Sequence, residues 1–237
     1  GGVILSLSRM NAISSPDLSS GGISVEAGVI LEQLHQSLEG TGLMFPMYLG
    51  SGGSAQVGGL IATNAGGSHA FRYGMMQELV LGLEIVLADG AVWNGMRAVQ
   101  KDNAGYQLRK LFCGSEGTLG VVTQAILKLS PEPKQQLTAL LAVRDASGLV
   151  KLATKLRAES EEFLTALEFF SDVGLGIALE NIPGLVFPLQ SRASFYLIVE
   201  AGSGSMQVPL DSILTAVMEW GIDEGIVVDG ALAKSET

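Results

Sequence analysis

Cysteine is almost missing from this chain: Cys113 stands alone among 237 residues. No disulfide can form within it, which suits a reducing compartment. Basic residues are scarce. Fourteen Lys and Arg stand against twenty-four Asp and Glu, a formal charge of −10 at pH 7. The basic stripe of a nucleic-acid binder is absent, so that class is discounted. Histidine occurs twice, with no H-x-x-x-H or C-x-x-C spacing, and nothing supports a metal site. No apolar run reaches the roughly 18 residues that span a bilayer. The most apolar strand-like stretch, residues 79–88, is broken by Glu84. No signal-peptide pattern is visible, and a cytoplasmic location is expected. What the chain has is apolar content, 47% against 16% charged. That is enough for substantial cores and argues against wholesale disorder.

The organisation changes near residue 130. Twenty-two of the 31 glycines precede that point and nine follow it. Pro131 and Pro133 punctuate the same place, since proline removes a donor and restricts the residue before it. The expected division is therefore 1–131 and 132–237. In the first part, residues 3–8, 23–27, 79–88, 91–93 and 119–129 read as strands. Residues 30–38 read as a helix, with Leu31, Leu34 and Leu38 at helical spacing. Asp89-Gly90 reads as a hairpin turn, both positions tolerating positive φ. The second part has a cleaner rhythm. Strands are expected at 137–143, 163–170, 194–200 and 225–229, and helices at 146–156 and 208–220. That is β-α-β-β-α-β, the split βαβ plan of a ferredoxin-like sandwich. Residues 173–190 need an inserted helix or loop. The chain opens Gly1-Gly2 without Met and passes at once into an apolar run, and residues 231–237 stop without a helix or tail. The expectation is an internal fragment of a longer protein.

Glycine itself carries the main signal. Residues 50–67, GSGGSAQVGGLIATNAGG, hold seven glycines and no charge. Residues 114–121, GSEGTLGV, repeat the theme. Glycine costs backbone entropy and brings no side chain, so such crowding needs a reason. The two runs read as two walls of a cofactor groove. Gly50-x-Gly52-x-x-Ala55 formally fits the Rossmann fingerprint, but that fingerprint needs a strand before it and a helix after it. Pro46 lies just upstream, and Gly58-Gly59 and Gly66-Gly67 make a poor helix downstream. The phosphate loop ending in Gly-Lys-Ser/Thr is missing. What is left is a long loop with Ser51, Ser54, Thr63 and Asn64 interspersed, whose free N–H groups suit a dinucleotide.

Taken in order, the runs GLMFPMYLG (42–50), GSAQVGG (53–59), ATNAGG (62–67), RYG (72–74), LGLEIVLADG (81–90), KDNAGY (101–106) and LFCGSEGTLGVV (111–122) resemble the vanillyl-alcohol-oxidase type of FAD-linked oxidoreductase. More narrowly, they are similar to the branch holding D-2-hydroxyglutarate dehydrogenase, D-lactate dehydrogenase and the glycolate oxidase flavin subunit. The resemblance implies an α+β fold: the C-terminal part of a PCMH-type FAD-binding domain, then a partial ferredoxin-like cap domain on the substrate side. It implies FAD as cofactor and oxidation of a D-2-hydroxy acid by hydride transfer to flavin N5. It carries the cofactor-binding role to Pro46, Gly50, Ser51, Ser54, Gly58, Gly59, Asn64 and Gly67, and to Glu116, Gly117, Gly120 and Val121 on the second run. Tyr48 stands where many members have Asp, and Leu60 where they have Asn. The family's first pyrophosphate loop is implied upstream of Gly1, and its histidine and metal cluster beyond Thr237, so no catalytic residue is named in this chain. The small-molecule partner that the resemblance implies for the intact protein is a 2-hydroxy acid. The alternative is a folded, inactive module without flavin, a self-associating piece such as a homodimer.

The remaining chemical residues have plain readings. His35 lies near the apolar face of its helix as a structural histidine. His69 follows the Asn-Ala-Gly-Gly turn without an evident orienting partner. Cys113 reads as a small hydrophobe. Glu116 either closes its loop or accepts from backbone N–H groups or a ribose hydroxyl, and both readings stand. Arg72-Tyr73 either faces the flavin or ties down the loop. Glu159, Glu161 and Glu162 form a solvated helix end.

Overall fold

The structure is a computed structural model that describes residues 2–160 and 162–234; Glu161 of the acidic helix end lies outside the described residues, as do Gly1 and the last three. The chain divides into two compact units, Gly1–Glu132 and Pro133–Thr237.

The first unit runs β1 (Gly22–Glu26), α1 (Leu31–Leu38), β2 (Leu43–Met44), α2 (Val57–Ala62), α3 (Ala70–Tyr73), α4 (Met76–Leu79), β3 (Val80–Val86), β4 (Val92–Gly95), α5 (Arg109–Phe112), β5 (Val121–Lys128) and β6 (Ser130–Pro131). Four strands form an antiparallel sheet in the order β1-β5-β3-β4. Alternation decides its faces. Ile23 and Val25, Leu83 and Ile85, and Ala125 and Leu127 turn inward and are buried, as a period of two requires. Helix α1 brings Leu31, Leu34 and Leu38 onto the same core. Leu87 N–H donates to Ala91 O and Gly90 N–H to Leu87 O, closing a three-residue hairpin loop. Gly90 alone takes positive φ there, at 85°, so Asp89 does not need it, contrary to the two-position expectation.

Two further expectations fail in this unit. Residues 3–8 form no strand. Val3 and Ile4 are almost wholly exposed, and a strand-like apolar run without a partner strand has nothing to pair with. The glycine-rich stretch is also not all loop, because α2 lies inside it and contains both Gly58 and Gly59.

The second unit runs β7 (Gln135–Val143), α6 (Ala146–Ser160), β8 (Leu164–Ser171), α7 (Asp172–Asn181), β9 (Phe195–Ser203), α8 (Leu210–Asp223) and β10 (Val227–Lys234). Its antiparallel sheet is ordered β10-β7-β9-β8, the split βαβ arrangement. Leu152 and Leu156 of α6 and Leu214 and Val217 of α8 pack with Leu137, Leu141, Leu197 and Val199. The inserted helix α7 joins a separate cluster in which Leu175 and Leu189 meet Ala142 and Tyr196. Tyr196 anchors that insertion: its hydroxyl donates to Asp172 Oδ1 at 2.8 Å, and Arg192 Nε donates to the same oxygen at 2.8 Å.

Candidate flavin-facing walls

The first wall begins at a buried corner. Phe45 and Met47 are anchored in the core, and Met47 N–H donates back to Phe45 O at 2.8 Å, turning the chain about the buried Pro46. Next, Ser54 and Ala55 N–H both donate to Ser51 O, at 2.9 and 2.8 Å. Ser54 Oγ donates to that oxygen as well, at 3.3 Å. The carbonyls of Gly52 and Ala55 accept from Glu32 and Leu31 N–H. They thereby satisfy two donors that the start of α1 would leave unpaired. Gly50, Ser51 and Ser54 remain exposed.

Helix α2 stands because its surroundings complete it. Val57 N–H donates to Val29 O at 2.9 Å and Gly58 N–H to Ala27 O at 2.7 Å. Such tertiary contacts outweigh the poor helix propensity of two glycines. Its other end closes with Asn64 N–H donating to Ile61 O and Ala65 N–H to Leu60 O. Asn64 has φ 48°. This is a Schellman closure with asparagine in the left-handed position that glycine usually takes. Asn64 Oδ1 accepts from Gln77 N–H at 2.9 Å, which fixes the side chain.

The second run docks on that same helix end. Gly114 N–H donates to Ile61 O at 3.0 Å and Glu116 N–H to Ala62 O at 2.8 Å. The two glycine runs are thus adjacent and bonded to each other. Thr118 N–H and Oγ1 donate to Ser115 O, closing the tight loop before Val121 begins β5. Glu116 has φ 51°, a conformation that costs a non-glycine residue about 1–2 kcal/mol. Asn64 and Glu116 are the only non-glycine residues with positive φ among the described residues, and they flank this junction.

The glycines separate into two kinds. A Cβ on Gly58 would lie 2.9 Å from Ala27 Cβ, one on Gly67 2.5 Å from Tyr48 O, and one on Gly120 2.6 Å from Ile85 Cγ2. These three are required by the protein's own packing. A Cβ on Gly50, Gly59 or Gly117 would meet nothing within 4 Å. Gly117 has φ 74°, but neither Gly50 nor Gly59 has positive φ. Nothing within the chain explains why those two are glycine. Leu60 is buried in the core.

Aromatic rings support the first wall. Tyr48 lies between His35 and His69, with ring centroids at 4.8 and 4.7 Å. His35 Nε2 donates to Phe45 O at 3.2 Å, and burial pushes its pKa below the usual value. His69 is buried and reaches Tyr73 at 6.1 Å, while the Arg72 guanidinium sits 5.5 Å over the Tyr73 ring. This ladder was not legible in the sequence, where the four rings are scattered; only the fold stacks them. Cys113 packs beside the core, its Sγ 3.5 Å from Arg109 O, and burial raises its thiol to about 11.

Comparison with known proteins follows the same lines. Residues 1–95 match the family described as FAD binding domain. Over 234 residues the chain is 36% identical to a D-2-hydroxyglutarate–pyruvate transhydrogenase of Saccharomyces cerevisiae, covering 99% of this chain and 47% of the relative. It is 39% identical to a mitochondrial D-2-hydroxyglutarate dehydrogenase of Bos taurus, over 99% and 42%. It is 35% identical to a putative mitochondrial D-lactate dehydrogenase of Schizosaccharomyces pombe, over 99% and 44%. The chain therefore spans less than half the length of these relatives. A solved alkyldihydroxyacetonephosphate synthase superposes with a TM-score of 0.69 at 19% identity, over 94% of this chain and 42% of that one, so the fold is shared. The mitochondrial names of several relatives overturn the cytoplasmic expectation, since a lone cysteine and a missing leader pattern carry too little information about compartment.

Proposed function

We propose, from the premise that the chain is a homologue of the D-2-hydroxyglutarate and D-lactate dehydrogenases and carries an FAD-binding domain, that residues 46–67 and 114–121 form one side of a flavin site in an enzyme oxidising a D-2-hydroxy acid. The observation that carries this reading is the pair Gly50 and Gly59. Both could carry a Cβ without contact inside the protein, and in a glycine-rich stretch that leaves close approach of a ligand to the backbone as the reading for glycine there. Left-handed backbone at Asn64 and Glu116 supports it, because such strain gathers at ligand sites.

The residues divide the work. Gly50, Ser51 and Ser54 present the exposed turn, and Gly59 the open side of α2. Gly58, Gly67 and Gly120 act from behind, letting Ala27, Tyr48 and Ile85 come close. Pro46 fixes the entry to the wall, and Val121 begins the strand that carries its far end. Glu116 and Gly117 sit exposed at the junction, where the carboxylate can accept from a ribose hydroxyl. Bound FAD would supply the electron acceptor, a hydride leaving the substrate Cα for flavin N5 as the hydroxyl proton passes to a base and a 2-oxo acid forms.

Flavin-free protein mixed with FAD and then gel-filtered tests the reading. The expected result is retained absorbance between about 350 and 500 nm, where protein has none. In the enzyme that carries this chain, a D-2-hydroxy acid should bleach that absorbance and its L enantiomer should not. A colourless protein whose unfolding midpoint ignores FAD would overturn the proposal.

A further inference from the structure

The sheet of the second unit has two edges, β10 and β8. Edge strands present unpaired N–H and C=O groups, and native proteins blunt them with bulges, lysine, proline or a covering segment. β10 is blunted: its register shifts between Val227 and Asp229, and it ends in Lys234. β8 is not. Its register with β9 shifts only at its start, between Leu164 and Ala166. From there to Ser171 it holds no lysine, arginine or proline, and a single charge, Glu168. Among the described residues, the backbone of residues 166–170 bonds to no segment but β9. Phe169, in the middle of this run, is 67% exposed. Apolar hollows reach β8 on both faces of the sheet. On the face of α6, one of about 290 Å³ is bounded by Leu167 and Phe169 of β8, Leu197 of β9, and Leu149 and the exposed Val150 of α6. On the face of α7, one of about 510 Å³ touches β8 at Phe170 and is floored by Leu140 and Ile198. An open ladder between apolar hollows suits a further strand, held by main-chain bonds while its alternate side chains extend one apolar face or the other.

We propose that this strand is β8 of a second copy of the chain, paired antiparallel across a two-fold axis normal to the sheet. A second β8 is already ordered, so pairing costs none of the chain entropy that a flexible peptide would lose. The chain carries −10 overall, and along this edge two copies meet with one carboxylate each. An axis at Phe169 sets that residue opposite its twin, an aromatic cross-strand pair beside the α6 hollow, and sets Glu168 opposite Phe170. Slipping two residues one way opposes Glu168 to Glu168. Slipping two the other way puts Phe169 opposite Ser171 and separates the aromatic pair. Charge and packing therefore select one register. So short an edge buries less than the roughly 800 Å² per partner of a standard interface, which makes the association weak, with Kd on the order of 10–100 μM.

Sedimentation equilibrium of the 237-residue chain tests the pairing. The expected result is a reversible monomer–dimer equilibrium in that range without larger species, because a two-fold contact closes on itself. Phe169→Lys, checked by circular dichroism, should weaken the dimer about tenfold or more, since it sets two like charges opposite each other on the edge. A pair of cysteine variants tests the register independently of how the lysine variant folds. In a Cys113→Ala background, which removes the native thiol, Phe169→Cys should form a disulfide between copies under mild oxidation, since directly opposed Cα atoms lie within the roughly 7 Å that a disulfide spans. Glu168→Cys should not, being two residues out of step with its twin. A monomer at every concentration up to about 500 μM, Phe169→Lys protein that associates as the parent chain does, or Glu168→Cys cross-linking as fast as Phe169→Cys would each overturn the proposal.

Discussion

Changing Gly58 and Gly59 one at a time to alanine probes both the fold of α2 and the reading of its open side. Within a helix, Gly→Ala favours the folded state by about 0.5–1 kcal/mol. At Gly59 the added methyl meets nothing within 4 Å, so that gain stands alone and Gly59→Ala should raise stability. At Gly58 the same gain is opposed. The methyl would sit 2.9 Å from Ala27 Cβ and 3.1 Å from Ala27 O, and Ala27 is held because its carbonyl accepts from Gly58 and its N–H donates to Thr123 O. Overpacking of this kind costs about 1–3 kcal/mol, so Gly58→Ala should come out neutral to about 2 kcal/mol destabilised. Propensity cancels in the comparison, and the two midpoints should differ by about 1–3 kcal/mol from the contact alone. Urea unfolding followed by fluorescence in a Trp220→Phe background, where Trp93 is the sole indole, gives the measurement, read from midpoints at constant slope. Flavin affinity supplies the second reading: Gly59→Ala should weaken FAD about tenfold while strengthening the flavin-free protein. If both alanines shift the midpoint equally, the packing argument for Gly58 fails. If Gly59→Ala leaves FAD binding intact, that side of α2 is not a cofactor wall.

Other outcomes follow from single contacts. Asn64→Ala should cost about 1–2 kcal/mol in urea unfolding, and Asn64→Gly less, since glycine keeps the left-handed backbone and loses only the bond to Gln77 N–H. Burial holds the His35 pKa below its usual value, so the folded state prefers neutral imidazole. The resulting stability is fully present above the unfolded value of about 6.5 and is lost as pH falls through the folded one; the urea midpoint should drop over that interval, and His35→Gln should flatten the drop. With its thiol raised to about 11, Cys113 should react with iodoacetamide far more slowly in native protein than in urea at about pH 8, where an unperturbed thiol is partly ionised.

The second unit was legible because its residues obey simple periods. Leu137, Ala139 and Leu141 alternate inward, and Leu149, Leu152 and Leu156 recur at helical spacing on α6. Each segment says which face it buries, and the β-α-β-β-α-β rhythm matches the split βαβ plan that sets the strand order. The first unit was legible only where the same rules held, as in β3 and β5. Residues 3–8 carry strand-like composition, yet a strand exists only with a partner, and pairing is not written locally. Helix α2 was missed for the opposite reason. Its glycines argue against helix, while the groups that complete it, Ala27 O and Val29 O, come from another segment. The glycine runs were recognised by their order along the chain. Which glycines serve packing and which face outward needed coordinates, because Gly58 and Gly59 are identical in sequence terms.

The bonds from Gly114 and Glu116 to the last carbonyls of α2 also have a kinetic meaning. Those amides can exchange with solvent deuterium only when the second run lifts from the helix, so they should exchange together with the amides of Asn64 and Ala65, as one opening unit. Ordering the intervening β3–β4 hairpin shortens the effective loop between the two runs and so lowers the entropy cost of closing that contact. A cofactor bound against these runs would be read as slowed exchange at these few positions.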